Sequence, residues 1–190
     1  MRQLADKLWF PVAATICNLM VWGMFSILNV PHIDVAAYAP QPYVHRVKFV
    51  ATKGVPVRIV VPALSLNLPV TPGSFDPNTE EWTLSDDSAY YATFSVPVND
   101  SNGTTLIYGH AKPMMFGPLT ALNAGMKIEV HTDTGKIFDY TYASVREVIP
   151  TDTSVLTDVG PPTLVLQTCS GPWDAYRALY TFTFDGVRNV

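Results

Sequence analysis

Proline and glycine, 16 and 11 of them in 190 residues, interrupt this chain so often that no long amphipathic helix fits beyond residue 53. The pieces between the interruptions have the short-run or alternating apolar pattern of β-strands. Residues 57–64 are rich in β-branched side chains and carry Pro62, whose missing N–H marks an edge, a strand end or a bulge. Residues 104–109 follow the turn-forming run Asn99-Asp100-Ser101-Asn102-Gly103. Residues 127–132 and 137–148 flank Asp133-Thr134-Gly135-Lys136, a hairpin signal. Residues 163–168 are apolar enough for a strand buried on both faces. Residues 178–184 alternate, with Tyr180, Phe182 and Phe184 on one side and Leu179, Thr181 and Thr183 on the other. A short helix is predicted within residues 114–123, started by Gly117-Pro118. Many short, punctuated strands in a mainly β chain imply a closed or nearly closed barrel. The length admits one domain with a hydrophobic core, which we place at residues 54–190, after a proline-bearing linker at residues 31–53.

Residues 8–30 (LWFPVAATICNLMVWGMFSILNV) contain no charge and are almost wholly apolar. About 20 such residues cross a bilayer as a helix. Pro11 falls in the first turn, where a missing donor costs least. Arg2 and Lys7 place residues 1–7 in the cytoplasm by the positive-inside rule, so the domain faces outward from a single-pass anchor in the cell membrane. A cleaved signal peptide competes, because Ala37-Tyr38-Ala39 has small-x-small spacing. We prefer the uncleaved anchor, since a signal core spans roughly 7–15 residues. A buried core helix ranks last, since the run offers no polar face.

Hydrophobic residues make up 48% of the chain and charged ones 15%, an apolar excess that the first thirty residues largely explain. The net charge is −4, or −5 without Arg2, Asp6 and Lys7, and no basic stripe occurs, which argues against nucleic acid as a partner. Cys17 lies in the apolar run as a small filler, and Cys169 lies in the exported domain, so the two cannot pair. A single thiol in an oxidising compartment is a candidate reactive group.

Three strand boundaries carry candidate chemistry. His110 follows the end of one strand, Cys169 follows the end of another, and Arg177 precedes the last. If the first two strands are parallel neighbours and the third pairs antiparallel beside them, all three side chains emerge at one rim. A thiol attacks a carbonyl as thiolate, yet a free cysteine has a pKa of about 8.5. A nearby imidazolium favours the thiolate and can later give a proton to a leaving amine. A guanidinium steadies negative charge on the attacked oxygen without losing its proton.

The local sequences around these residues resemble those of the sortase family. Thr105-Leu106-Ile107-Tyr108-Gly109-His110-Ala111 is similar to the family's strand ending in Gly-His, and Leu166-Gln167-Thr168-Cys169 to the end of its nucleophile motif. Arg177 lies eight residues past the cysteine, as the family's arginine does. Val57-Arg58-Ile59-Val60-Val61-Pro62, with Leu66 and Pro69-Val70, is similar to the opening strands of several classes, so the resemblance covers about residues 54–184. Val165 departs from the usual Thr-Leu-x-Thr-Cys, which loosens the class; the nearest are the D, E and F types. The resemblance implies a closed barrel of about eight strands with short helices; from the residues we expect no cofactor, and four scattered histidines with one available thiol make no zinc site. The resemblance further implies a cysteine transpeptidase with His110, Cys169 and Arg177 as catalytic residues. The substrates so implied are proteins bearing a Leu-Pro-x-Thr-Gly-like sorting signal, cut after threonine through a thioester. The acyl group passes to an amine on a peptidoglycan precursor or a pilin. We assign substrate choice to residues 150–162 and 170–176.

Other residues receive no such role. His32, His45 and His131 match no motif, and Glu80-Glu81 and Asp86-Asp87 read as solvated loop charges, although some sortases bind calcium through acidic loops. An exported cysteine hydrolase of the papain kind is disfavoured because there the nucleophile precedes the histidine. Cell-wall transpeptidases of the L,D type would need a His-Gly-Cys motif, which Cys169 lacks. A tethered β-domain for adhesion or ligand binding would have no use for an activated thiol.

Overall fold

The computed structural model of the protein describes residues 51–79, 81–157 and 159–190. The anchor at residues 8–30, the cytoplasmic terminus and nearly all of the linker lie outside the described residues.

Twelve strands form among them: β1 (Lys53–Gly54), β2 (Pro56–Val61), β3 (Leu66–Gly73), β4 (Phe75–Asp76), β5 (Glu81–Trp82), β6 (Ala89–Ala92), β7 (Val98–Asn99), β8 (Thr104–Tyr108), β9 (Lys127–Thr132), β10 (Lys136–Val148), β11 (Thr163–Ser170) and β12 (Tyr176–Asn189). Eight of these close into a barrel in the order β10-β12-β11-β8-β6-β3-β2-β9. The predicted count of about eight strands is therefore met. Closure pairs every barrel strand on both sides and removes the free edges that would template aggregation.

Side-chain alternation decides which face each residue takes. Ile59, Leu68, Val130, Phe138, Leu164 and Phe182 fill the interior, joined register by register across neighbouring strands: Ile59 opposite Leu68 and Val130, Phe138 opposite Val130, Phe182 opposite Leu164. A second buried cluster sits on the other face of β6, β8, β11 and β12, where Tyr90, Leu106, Tyr108, Val165 and Leu179 are covered by Val155 and Leu156. The expectation that residues 163–168 are buried on both faces is thereby met, with Leu164 and Leu166 in one cluster and Val165 in the other.

Three local expectations shift. The strand predicted over residues 57–64 stops at Val61, because Pro62 has no donor and starts a 3-10 turn, Pro62–Leu64, closed by Ser65 at φ 52°. The helix predicted in residues 114–123 is a 3-10 turn, Gly117–Ala121, too short for an α-helix. The last strand, predicted over residues 178–184, extends to Tyr176–Asn189 and pairs with both β10 and β11.

Candidate active site

Two ladders bring the sequence-predicted trio together. β8 and β11 run parallel with Tyr108 opposite Gln167, and β12 lies antiparallel on the far side of β11 with Arg177 opposite Cys169. This is the topology required to gather the three strand ends at one rim. Alternation then points Leu106 and Tyr108 on β8, Val165, Gln167 and Cys169 on β11, and Arg177 and Leu179 on β12 to the outer face. His110, two residues beyond Tyr108, lines the same groove as Cys169 and Arg177.

Hydrogen bonds continue this register past the strand end. The Gly109 N–H donates to the Gln167 carbonyl (3.1 Å), and the buried Thr168 Oγ1 donates to the Gly109 carbonyl (2.8 Å). The His110 carbonyl accepts from the Phe116 N–H (3.0 Å), and the Phe116 ring is fully buried, so the turn carrying the imidazole is held from below. Arg177 is aimed by its own backbone surroundings. Its Nη1 donates to the carbonyls of Asp174 and Tyr176, both at 2.9 Å. Those carbonyls belong to a tight connection between β11 and β12 in which Gly171, Trp173 and Asp174 all have positive φ (75°, 54° and 59°). Left-handed backbone at two non-glycine residues costs of the order of 1–3 kcal/mol each, and such strain gathers at functional sites. Trp173 is 98% exposed at the tip.

The groove has a volume of about 870 Å³. Leu106, Tyr108 and Gln167 form its floor, Val155 and Leu156 one wall, and Phe75, Trp82 and Phe94 the other. Trp82 organises that second wall, its ring centroid lying 5.3 Å from Phe75, 5.3 Å from Phe94 and 5.0 Å from Tyr108. Burial pushes the Tyr108 phenol up to about 12, and its hydroxyl has no hydrogen-bond partner among the described residues. Of residues 150–162, those from Pro150 to Thr153 with Val155 and Leu156 line the groove; of residues 170–176, the Asp174 and Tyr176 carbonyls hold Arg177.

Electrostatics modify one expectation. Burial pushes the Cys169 thiol up; Arg177 pulls it down and Asp174 pushes it up, with burial the largest effect. Burial thus works against the thiolate that the sequence reading has a nearby imidazolium support. Asp86, read from sequence as a solvated charge, lies 3.7 Å from His110 Nε2 and accepts from Lys112 Nζ at 2.5 Å. That hydrogen bond and charge hold the Asp86 carboxyl below its ordinary value. No sequence signal marks this contact, because residues 86 and 110 meet only through the fold. Tyr108 and Gln167 were within reach of sequence, each two residues before a member of the trio. His131 lies on β9 within 3.3 Å of Arg58 and Glu129 and lines neither the groove nor its rim. Among the described residues, no group of three His, Cys, Asp or Glu side chains is placed to hold a metal ion.

A closed eight-stranded barrel that brings a thiol, an imidazole and a guanidinium to the end of an apolar surface groove has the outline of a cysteine acyl-transfer enzyme. The family model described as the sortase domain matches residues 59–182, which is most of the described chain. The chain belongs to the sortase family and is a cysteine transpeptidase. Among solved structures it is similar to sortase A of Listeria monocytogenes (21% identity, TM-score 0.58, covering 73% of this chain and 92% of that one). It is likewise similar to sortase E1 of Streptomyces coelicolor with a tripeptide in the active site (19%, 0.59, 72% and 91%) and to sortase C-1 of Actinomyces oris (23%, 0.55, 68% and 73%). At these identities the likeness is one of fold. No curated protein matches the chain by sequence.

Proposed function

We propose that the protein cleaves a Leu-Pro-x-Thr-Gly-like C-terminal sorting signal after threonine and joins the released acyl group to an amine on a peptidoglycan precursor or a pilin. The observation that carries this reading is the pairing of Cys169 with Arg177 across β11 and β12, with His110 in the same groove. The groove's volume of about 870 Å³ and its largely apolar and aromatic lining suit a short peptide, and the tripeptide in the Streptomyces coelicolor structure occupies that protein's active site.

In the first half-reaction His110 takes the thiol proton as Cys169 Sγ attacks the threonine carbonyl carbon. Arg177 steadies the oxyanion, and its guanidinium cannot lose its proton in doing so. The C–N bond breaks, His110 returns the proton to the leaving glycine amine, and a thioester on Cys169 remains. In the second half-reaction an acceptor amine attacks the thioester carbon, His110 takes its proton, and as the C–S bond breaks His110 passes that proton to the departing sulfur and restores the thiol. Residues 8–30 anchor the enzyme in a bacterial cell membrane with the barrel on the extracellular side, where wall precursors and pilins are found.

Incubating the protein with a library of sorting-signal peptides and an amine acceptor tests the reading. Cleavage after threonine with a new amide to the acceptor is the expected product. Cleavage at other bonds, or none with any such peptide, would overturn it.

A further inference from the structure

The antiparallel register of β6 and β8, with Tyr90 opposite Tyr108 and Tyr91 opposite Ile107, organises residues beyond the ends of both strands. Extended by the same pairing, Ser88 falls opposite His110 and Asp86 opposite Lys112. Tyr90 and Tyr108 belong to the outer face, so alternation carries Asp86, His110 and Lys112 to that face as well. The side chains keep to this pattern: Lys112 Nζ donates to Asp86 Oδ1 at 2.5 Å, and His110 Nε2 lies 3.7 Å from the same oxygen.

Local hydrogen bonds fix both sides of the contact. The Lys112 carbonyl accepts from the N–H groups of Met115 and Gly117, both at 2.9 Å. Across from it, Asp87 Oδ1 accepts from Ser85 Oγ (2.6 Å) and Ser88 Oγ (3.2 Å), which closes the loop that presents Asp86. His110 lines the groove, whereas Asp86 and Lys112 lie outside its lining, so the imidazole joins the groove to the carboxylate. The charged and titratable groups around the ring are Asp86 and Lys112 on this side, with Asp87 behind Asp86, and Cys169 and Arg177 in the groove. Asp86 and Lys112 are well exposed, and an exposed ion pair contributes little to stability. Its place beside the base is the property left to explain.

We propose that Asp86 is a positioning residue for His110: its carboxylate faces the Nε2–H and leaves Nδ1 to exchange the thiol proton, while Lys112 limits that hold by sharing the same oxygen. The inference rests on the transpeptidase reading for the reaction that the ring serves, and it adds what orients the base. Asp86 stays ionised throughout. The proton passes from Cys169 Sγ to His110 and on to the leaving amine, and Asp86 takes none of it.

The first test needs no donor peptide. Full-length protein in detergent is treated with diethyl pyrocarbonate, which modifies neutral imidazole, and modification of His110 is followed by peptide mass spectrometry from about pH 5 to pH 8. A carboxylate beside the ring favours its protonated form, so Asp86→Asn should move the onset of modification to lower pH, by about 0.5 on the pH scale for a screened charge at this distance. Lys112→Met, which keeps the aliphatic stem, should move it to higher pH. The acid limb of kcat/KM for a sorting peptide should follow the onset in both variants. In Asp86→Asn kcat should also fall about three- to tenfold with KM little changed, a fraction of the 10²-fold or more that a general base contributes, and Asp86→Glu should recover part of that loss. Circular dichroism checks that each variant is folded. An onset unmoved by Asp86→Asn, or moved the same way by Asp86→Asn and Lys112→Met, would overturn the inference. Opposite shifts without cleavage of any sorting peptide would instead remove the proposed substrate and leave the pairing of Asp86 with His110 standing.

Discussion

Cys169 and Arg177 are neighbours because of ladder register, and the small set of contacts around them sets how the site responds to change. Burial raises the thiol above its ordinary value, so the thiolate fraction at neutral pH is smaller than for a free cysteine. The sign follows directly: alkylation of Cys169 should lag behind that of a model thiol through pH 7–8 and catch up only at higher pH. A profile shifted to lower pH would mean that imidazolium, not burial, dominates. Arg177→Lys keeps the charge but loses the planar fork that two carbonyls orient, and should lower kcat/KM for a sorting peptide on the order of 10²-fold, by analogy with losing one oxyanion donor. Arg177→Ala should be at least as severe, and a change under threefold in both would remove the oxyanion role. The placement of the trio was legible in sequence because each member sits at a strand end with a definite parity. The Asp86 contact to His110 was not, since it joins two loops that no periodicity connects.

Most of the longer strands were legible, but β3 (Leu66–Gly73), broken by two prolines, was touched only through the family resemblance, and β6 (Ala89–Ala92), buried throughout, was not predicted; neither were the strands of two residues. The hairpin around Asp133-Thr134-Gly135-Lys136 appears where its turn chemistry placed it, with β9 and β10 on either side. The β4–β5 hairpin carries Phe75 and Trp82 to the groove, yet two paired residues a side show no period. The proline at 62 was read as one of three possibilities, and packing selected the strand end. At this scale the connection between β11 and β12 is the most exacting element. Gly171 has φ 75°, and a Cβ there would lie 2.7 Å from Tyr176 Cδ2. With ψ at 174°, a region open essentially to glycine, Gly171→Ala should cost about 1–3 kcal/mol in backbone strain, a Tm loss of several degrees. Because the displaced loop supplies both carbonyls that aim Arg177, peptide cleavage should fall about tenfold or more. Thermal melts and cleavage rates check this; an unchanged rate would show that the loop does not position the guanidinium.

The whole barrel is held by closure, with the long β12 bonded to β10 along nearly all its length and to β11 along its first half. Fold class was legible because punctuation and alternation persist through residues 54–190, whereas the count of about eight barrel strands came from the family resemblance; closure itself depends on pairings between segments far apart in sequence, such as β2 with β9. Residues 8–30 give a prediction at the same scale. The full-length protein should fractionate with membranes, and protease added to intact spheroplasts should digest the barrel domain. Complete protection, or release of a mature protein beginning after Ala39, would contradict the anchored, outward-facing arrangement. The central claim, acyl transfer through a Cys169 thioester, is met most directly by intact-mass spectrometry of the protein quenched during turnover of a sorting-signal peptide without amine. An added mass equal to the peptide acyl fragment ending in threonine is expected, mapped to Cys169, absent in folded Cys169→Ala and discharged by an acceptor amine. Cleavage by folded Cys169→Ala at the wild-type rate, with no adduct on the wild-type protein, would contradict it.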